Sequence, residues 1–197
     1  MNRQCEICEE ELFEDGLFCH ECNEEIHRLV YPVVTQTEGY FLMSIYHYDG
    51  IIRELIHRMK FQEGRYVSRF FSAEMVRFLR ENDISPQGVS YIPMHKKKKR
   101  KRGFDQAKDL CVEVSGQLGV SSASLLTRAK ATRALYSLSA KERMHELEGA
   151  FTASIREDEK LWLVVDDILT TGSTIREASK TLRKAKIPNV LFLVIAR

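Results

Sequence analysis

Apolar residues recur along this chain at two periods, and the switching between them marks out its elements. Tyr40–Tyr48 alternates aromatic and branched residues and stops at Asp49-Gly50, which predicts a strand closed by a turn. Ile51, Ile52, Leu55, Ile56 and Met59 follow at helical spacing, predicting a helix over 51–61. The same spacing returns at Val67, Phe70, Phe71, Met75, Phe78 and Leu79, predicting a second helix over 65–81. Gly88–Pro93 reads as a short strand. Gln106–Leu118 reads as a helix with Ala107, Leu110, Cys111, Val114 and Leu118 on one face. Leu161–Val165 and Val190–Ala196 are apolar throughout, as in strands covered on both faces, with a helix over 174–185 between them.

Strands alternating with helices place the chain in the α/β class, with a mostly parallel sheet flanked by helices. Such sheets bind ligands beyond the carboxyl ends of their strands. The two compositionally unusual segments, 95–105 and 166–174, each follow a predicted strand, so both are expected on that edge. The first 25 residues break the pattern: they hold four of the five cysteines and are rich in glutamate. Residues 26–37 read as a connecting segment. The expected division is therefore a cysteine module with its linker over 1–37 and an α/β domain over 38–197.

Composition narrows the setting. With 197 residues, 44% of them hydrophobic and 29% charged, the chain has the balance of a soluble globular protein. No apolar run approaches the roughly 18 residues of a spanning helix, and the first residues lack the apolar core of a signal peptide. A cytoplasmic protein without membrane insertion is the expectation. The net charge of +2 hides a strong asymmetry, because seven of the 30 basic residues lie together in residues 96–102. The rest of the chain is net acidic.

Cys5-x-x-Cys8 and Cys19-x-x-Cys22, ten residues apart, have the spacing of two metal-binding knuckles. Four thiolates complete a tetrahedral zinc site with no open position, which makes the metal structural. Two disulfides are the alternative, and they require an oxidising compartment that the expected location does not offer. His20 and His27 find no vacant position in such a set. Cys111, on the apolar face of a helix, reads as a core residue.

In Leu161–Thr174 a buried strand leads to Asp166 and Asp167, then to Thr170, Thr171, Gly172, Ser173 and Thr174, and then to a helix. Hydroxyls, a glycine that lets the backbone approach a ligand, and unpaired N–H groups at a helix start together make a phosphate cradle. Two carboxylates beside it can accept hydrogen bonds from vicinal hydroxyls. The plainer alternative is a strand end with a helix cap at Ser173 or Thr174. The segment resembles the signature of type I phosphoribosyltransferases. That resemblance implies that Asp166 and Asp167 hold ribose hydroxyls and that Thr170–Thr174 hold the 5′-phosphate of phosphoribosyl pyrophosphate. As a strand-end group, Asp167 is expected to be exposed and removable without harm to the fold.

The other unusual segment, Lys96, Lys97, Lys98, Lys99, Arg100, Lys101 and Arg102 followed by Gly103 and Phe104, reads as a basic loop. Its position at the sheet edge suits pyrophosphate, nucleic-acid phosphates, or both. With its surroundings it completes a wider likeness. Pro93 and His95, the run Arg102-Gly103-Phe104-Asp105-Gln106-Ala107, Tyr48-Asp49-Gly50 with Leu55-Ile56 and Lys60-Phe61, Leu138-Ser139 with Glu142-Arg143, and Gly149-Ala150-Phe151 resemble the ComF family of competence proteins. The chain departs from the family at Asp105, Leu135 and Glu146, where Asn, Gln and Asn are frequent. The resemblance implies a cytoplasmic accessory factor of natural competence that acts on single-stranded DNA beside a competence helicase. A working phosphoribosyltransferase using Mg²⁺ and phosphoribosyl pyrophosphate is the rival reading. A zinc-dependent docking protein with an inactive pocket is the third.

Overall fold

The computed structural model describes residues 4–13, 16–37, 39–60, 65–130, 146–155 and 159–197. The motif residues Phe61, Leu135, Leu138, Ser139, Glu142 and Arg143 lie outside the described residues. The described elements run α1 (His20–Arg28), β1 (Val30–Gln36), β2 (Phe41–Tyr46), α2 (Gly50–Lys60), α3 (Arg65–Glu81), β3 (Gly88–Tyr91), α4 (Lys96–Arg102), α5 (Gln106–Leu118), β4 (Ser121–Ser122), β5 (Thr127–Arg128), β6 (Phe151–Thr152), β7 (Trp162–Ile168), α6 (Ser173–Lys184) and β8 (Val190–Ala196).

Six strands form one sheet in the order β1-β2-β8-β7-β3-β4. All neighbours from β2 to β4 pair in parallel, and β1 alone runs antiparallel, against β2. A separate antiparallel pair joins β5 to β6. The fold class expected from the periodicity is therefore the one observed.

The two-residue period of the central strands divides the core. Leu163 and Val165 of β7, with Leu191, Leu193 and Ile195 of β8, face a cluster completed by α2, α3 and α5. Trp162 and Val164, with Val190, Phe192 and Val194, face a second cluster completed by Ile175, Ala178 and Leu182 of α6. Trp162 is 1% exposed and lies opposite Gly88 of β3, where an added Cβ would come within 2.6 Å of the indole. A side chain at Gly88 would push β3 off β7. Close contact between those two strands is what brings the segments after them to one edge.

Two readings of the sequence change. The connecting segment expected over 26–37 instead contains the end of α1 and all of β1, whose alternating half-buried and exposed positions make it an edge strand. The basic loop is a short helix. His95 caps α4 by accepting from the Lys97 N–H at 3.2 Å, and Gly103 ends it at a φ of 88°, which a residue without Cβ adopts freely. Seven consecutive like charges oppose a helix. Caps at both ends offset part of that cost.

The cysteine segment packs on the same core as α2 and α3. Cys5, Cys19, Cys22 and Ile26 are buried in that cluster, Phe18 meets Phe70 edge-on at 5.0 Å, and Arg58 of α2 donates to the Glu6 carbonyl. No described helix is long and apolar enough to cross a membrane.

Candidate functional site

Two places in this fold gather the residues with chemistry. At the first, the Cys5 N–H donates to the Glu10 carbonyl at 2.7 Å, closing a tight knuckle, and α1 starts directly after Cys19 in the second pair. The four sulfurs of Cys5, Cys8, Cys19 and Cys22 lie within 4.8 Å of one another. Cys8 Sγ and Cys19 Sγ are 3.6 Å apart, near the edge of a tetrahedron of thiolates about 2.3 Å from a zinc ion. A disulfide needs about 2.05 Å, and all four cysteines are free. Burial alone would raise the Cys5 thiol, but backbone N–H groups of Cys8, Cys19 and Ile7 outweigh it and bring it down to about 7. The donor set fits a metal ion. His20 and His27 are not part of it, and Cys111 is buried on the core face of α5, as expected.

The second place is the carboxyl edge between β3 and β7. Asp166 and Asp167 are consecutive residues inside β7, so the pleat sends their side chains to opposite faces. Asp167 turns toward α2 and α5. Lys60 Nζ lies 2.8 Å from its Oδ2, Gln106 Nε2 donates to the same oxygen at 3.1 Å, and the Ile168 N–H donates to Oδ1 at 2.8 Å. Arg102 of α4 donates to Gln106 Oε1 at 2.6 Å, which extends the chain of contacts into the basic helix. Asp167 is 9% exposed, so it is not the exposed strand-end carboxylate that was expected. The strand runs three residues further than its apolar run, and Lys60 and Gln106 close over its end.

Asp166 has the other environment. It keeps partial access to solvent yet is ringed by protein, and it accepts from the Asp167 N–H at 2.9 Å. Burial and the neighbouring Asp167 charge hold its pKa well above the usual carboxylate range. Burial would raise Asp167 as well, but Lys60, Gln106 and the Ile168 N–H outweigh it and hold that carboxyl low. Adjacent residues of one type thus have opposite acidities.

Cations of three elements converge here. Partial desolvation, and then repulsion from Arg128, Arg102 and Lys60, holds the Lys98 ammonium below the ordinary lysine range, although the residue as a whole is exposed. Burial lowers Arg128 too, and the Asp166 charge partly offsets this. Arg128 also stacks over the Phe151 ring at 5.0 Å. Lys96, Lys97, Lys99, Arg100 and Lys101 point to solvent, while Arg102 and Phe104 are half-buried.

The loop after β7 leads into α6 through Gly172, whose φ of 71° makes it the N-cap in place of Ser173 or Thr174. No side chain caps this helix start, and Thr171 Oγ1 and Ser173 Oγ are 2.8 Å apart. Thr170 and Thr171 are exposed, Thr174 is half-buried and Ser173 is buried. Hydroxyls and open N–H groups therefore meet at one point on the edge that carries Asp166 and Lys98.

The sequence reading gave no site role to Lys60, Gln106 or Arg128. Lys60 and Gln106 stood inside the quoted family motifs and were legible there. Arg128 belongs to a two-residue strand with no periodic signal, so nothing local marks it.

A mostly parallel α/β fold with a cluster of charged side chains at its carboxyl edge and an N-terminal four-cysteine cluster is the class these observations define. Among solved structures the chain is similar to the glutamine phosphoribosylpyrophosphate amidotransferase from B. subtilis, at a TM-score of 0.49 and 15% identity, covering 82% of this chain and 35% of that one. This overlap is too loose to transfer any residue role. No family model matches the chain. Among curated proteins it is 29% identical over 165 residues to competence protein F of Haemophilus influenzae, covering 79% of this chain and 72% of that protein. It is also 29% identical over 147 residues to the DNA utilization protein YhgH of Escherichia coli K12, covering 72% of this chain and 65% of that protein. The match thus leaves about a third of those relatives' length unspanned. The resemblance to the ComF family is borne out by these relatives.

Proposed function

We propose that the carboxyl-edge pocket binds phosphoribosyl pyrophosphate or a close sugar-phosphate relative, and that the protein serves the handling of transforming single-stranded DNA in the cytoplasm. The observation that carries the pocket reading is the convergence of Lys60, Lys98, Arg102 and Arg128 on Asp166 and Asp167. Desolvation, and then its cationic neighbours, disfavour the Lys98 charge, and a polyanion seated among them would restore it. In this reading Thr170–Thr174 and the start of α6 hold a phosphate monoester, and Asp166 accepts from ribose hydroxyls. Asp167 fixes Lys60 and Gln106 in place. Mg²⁺ would supply further neutralisation of the pyrophosphate, and Asp166, with its disfavoured charge, is the residue suited to face it.

The metal of the cysteine cluster is, in the same proposal, zinc in a structural role. The part in DNA handling rests on the names of the two relatives, competence protein F and DNA utilization protein YhgH. A competence helicase acting on the same strand is the partner this reading implies. The exposed cations of α4, at the rim of the pocket, suit sequence-independent phosphate contacts. The rival, a complete phosphoribosyltransferase reaction, has no acceptor site among the described residues to favour it.

Calorimetry of phosphoribosyl pyrophosphate with and without Mg²⁺, followed by single-stranded DNA on the same sample, tests the proposal. Saturable binding of the sugar phosphate is expected. Heats of dilution alone in both conditions would overturn the pocket assignment.

A further inference from the structure

Beyond the pocket, α6 carries a second concentration of positive charge that neither the basic helix nor the cysteine motifs account for. Arg176, Lys180, Arg183 and Lys184 lie at helical offsets of four, seven and eight residues, so they occupy one face of about 100°. At about 1.5 Å per residue this row is about 12 Å long. It forms one wall of an open-sided groove of about 810 Å³, whose other wall is lined by Thr37, Gly39 and Tyr40.

The groove is built by fixed contacts. Ser179 Oγ donates to the Gly39 carbonyl at 2.7 Å, tying the helix to the turn. A Cβ at Gly39 would stand 3.1 Å from the Arg183 guanidinium, so the absence of a side chain there lets that cation lie along the turn. Tyr40 meets Phe192 edge-on at 5.9 Å and is thereby held in the wall. Among the described residues no carboxylate pairs with Lys180, Arg183 or Lys184, and all three are exposed.

We infer that this groove is a nucleic-acid strand-binding surface, separate from the sugar-phosphate pocket. Its end at Lys184 lies toward the amino ends of β2 and β8, whereas Asp166 and α4 lie at the carboxyl ends. A row of cations at helical spacing, of which Lys180, Arg183 and Lys184 meet no carboxylate among the described residues, suits a repeating polyanion better than a single phosphate monoester. A duplex presents its phosphates on a convex surface. A concave slot with a tyrosine in its wall instead admits a flexible single strand, whose bases can reach the ring. The inference shares with the functional reading above the idea that DNA is the partner, and it assigns that partner a place of its own.

The test is anisotropy of a labelled oligothymidylate at several salt concentrations with wild type, with Lys180→Ala/Arg183→Ala/Lys184→Ala, and with Lys97→Ala/Arg100→Ala/Lys101→Ala. Each phosphate contact contributes about 0.7 to the slope of log affinity against log salt, so the α6 variant is expected to lose about 2 from that slope. It should keep wild-type binding of phosphoribosyl pyrophosphate by calorimetry, because no substituted residue reaches Asp166. An unchanged slope in the α6 variant, with the loss confined to the α4 variant, overturns the inference and leaves the functional reading intact. Wild type failing to bind the strand at all overturns both the inference and the DNA half of that reading, while the pocket stands or falls by its own calorimetry. Altered sedimentation of the α6 variant with an unchanged slope would assign the groove to a protein contact and also overturn the inference.

Discussion

The cysteine cluster and the carboxyl-edge pocket both hold ionisable groups close together, but by different means. In the cluster four sulfurs converge within 4.8 Å, three of their residues are buried, and the donor set is complete. In the pocket two carboxylates diverge from one strand and the cations around them come from α2, α4 and β5. The first arrangement can close on one ion, and binding one would contribute to folding. The second stays open at the sheet edge, with Lys98 and Asp166 both pushed toward their neutral forms. Such an arrangement lowers the stability of the empty protein, and under the proposed function a bound anion would offset that cost.

Removing the metal should have the largest effect. Because the cluster is continuous with the core under α2 and α3, chelation or Cys19→Ser should lower the melting temperature by more than about 10 °C. Elemental analysis of purified protein should find one zinc per chain. A metal-free protein with an unchanged melting curve would erase the difference between the two regions.

Asp167→Ala comes next. It leaves Lys60 and Gln106 without their shared acceptor, which should cost on the order of 2–4 kcal/mol in urea unfolding as well as weaken ligand binding. Lys98→Ala should weaken phosphoribosyl pyrophosphate about tenfold and leave the urea midpoint in place, since its charge is a liability until an anion arrives. A variant that unfolds more easily but binds normally would show that Lys98 supports structure instead.

The smallest effect concerns pH, where the two acids act in opposite senses. Asp167 is held below its unfolded pKa, so its contribution is present above about pH 4 and fades as the pH falls through its lower folded value. Asp166 is held above its unfolded pKa, so its contribution is complete in acid and is lost as the pH rises through the folded value. Asp166→Asn should accordingly raise the melting temperature at neutral pH by about 2–4 °C while making the empty protein less pH-dependent. Calorimetric scans at acid and neutral pH check this. A lower melting temperature at neutral pH would mean that the Asp166 charge is stabilising.

How much of this was legible in the sequence depends on which interactions decide each element. Helices α2, α3 and α5 and the strand Val190–Ala196 follow their hydrophobic periods, and Trp162–Ile168 extends its apolar run into the acidic pair. Strand β1 was missed because Val30–Gln36 is an edge strand, exposed on alternate positions and interrupted by Pro32, so it lacks the apolar continuity of β7. The basic helix was missed because charge repulsion argues against it, and capping by His95 and Gly103 depends on backbone geometry. At the site, residue types and spacing pointed to Asp166, Asp167 and the cradle. The divergence of the two acids follows from the strand continuing through them, and the partnership with Lys60 and Arg128 arises only when remote segments fold together.

The most direct measurement is a titration of phosphoribosyl pyrophosphate with Mg²⁺ into wild type and Asp166→Asn, with the melting temperature of each recorded without ligand. The account predicts saturable binding to wild type, binding at least about tenfold weaker for the variant, and a higher melting temperature for the empty variant. Equal binding by the two proteins would contradict it, because Asp166 would then be neither a ligand contact nor a charge held in place for one.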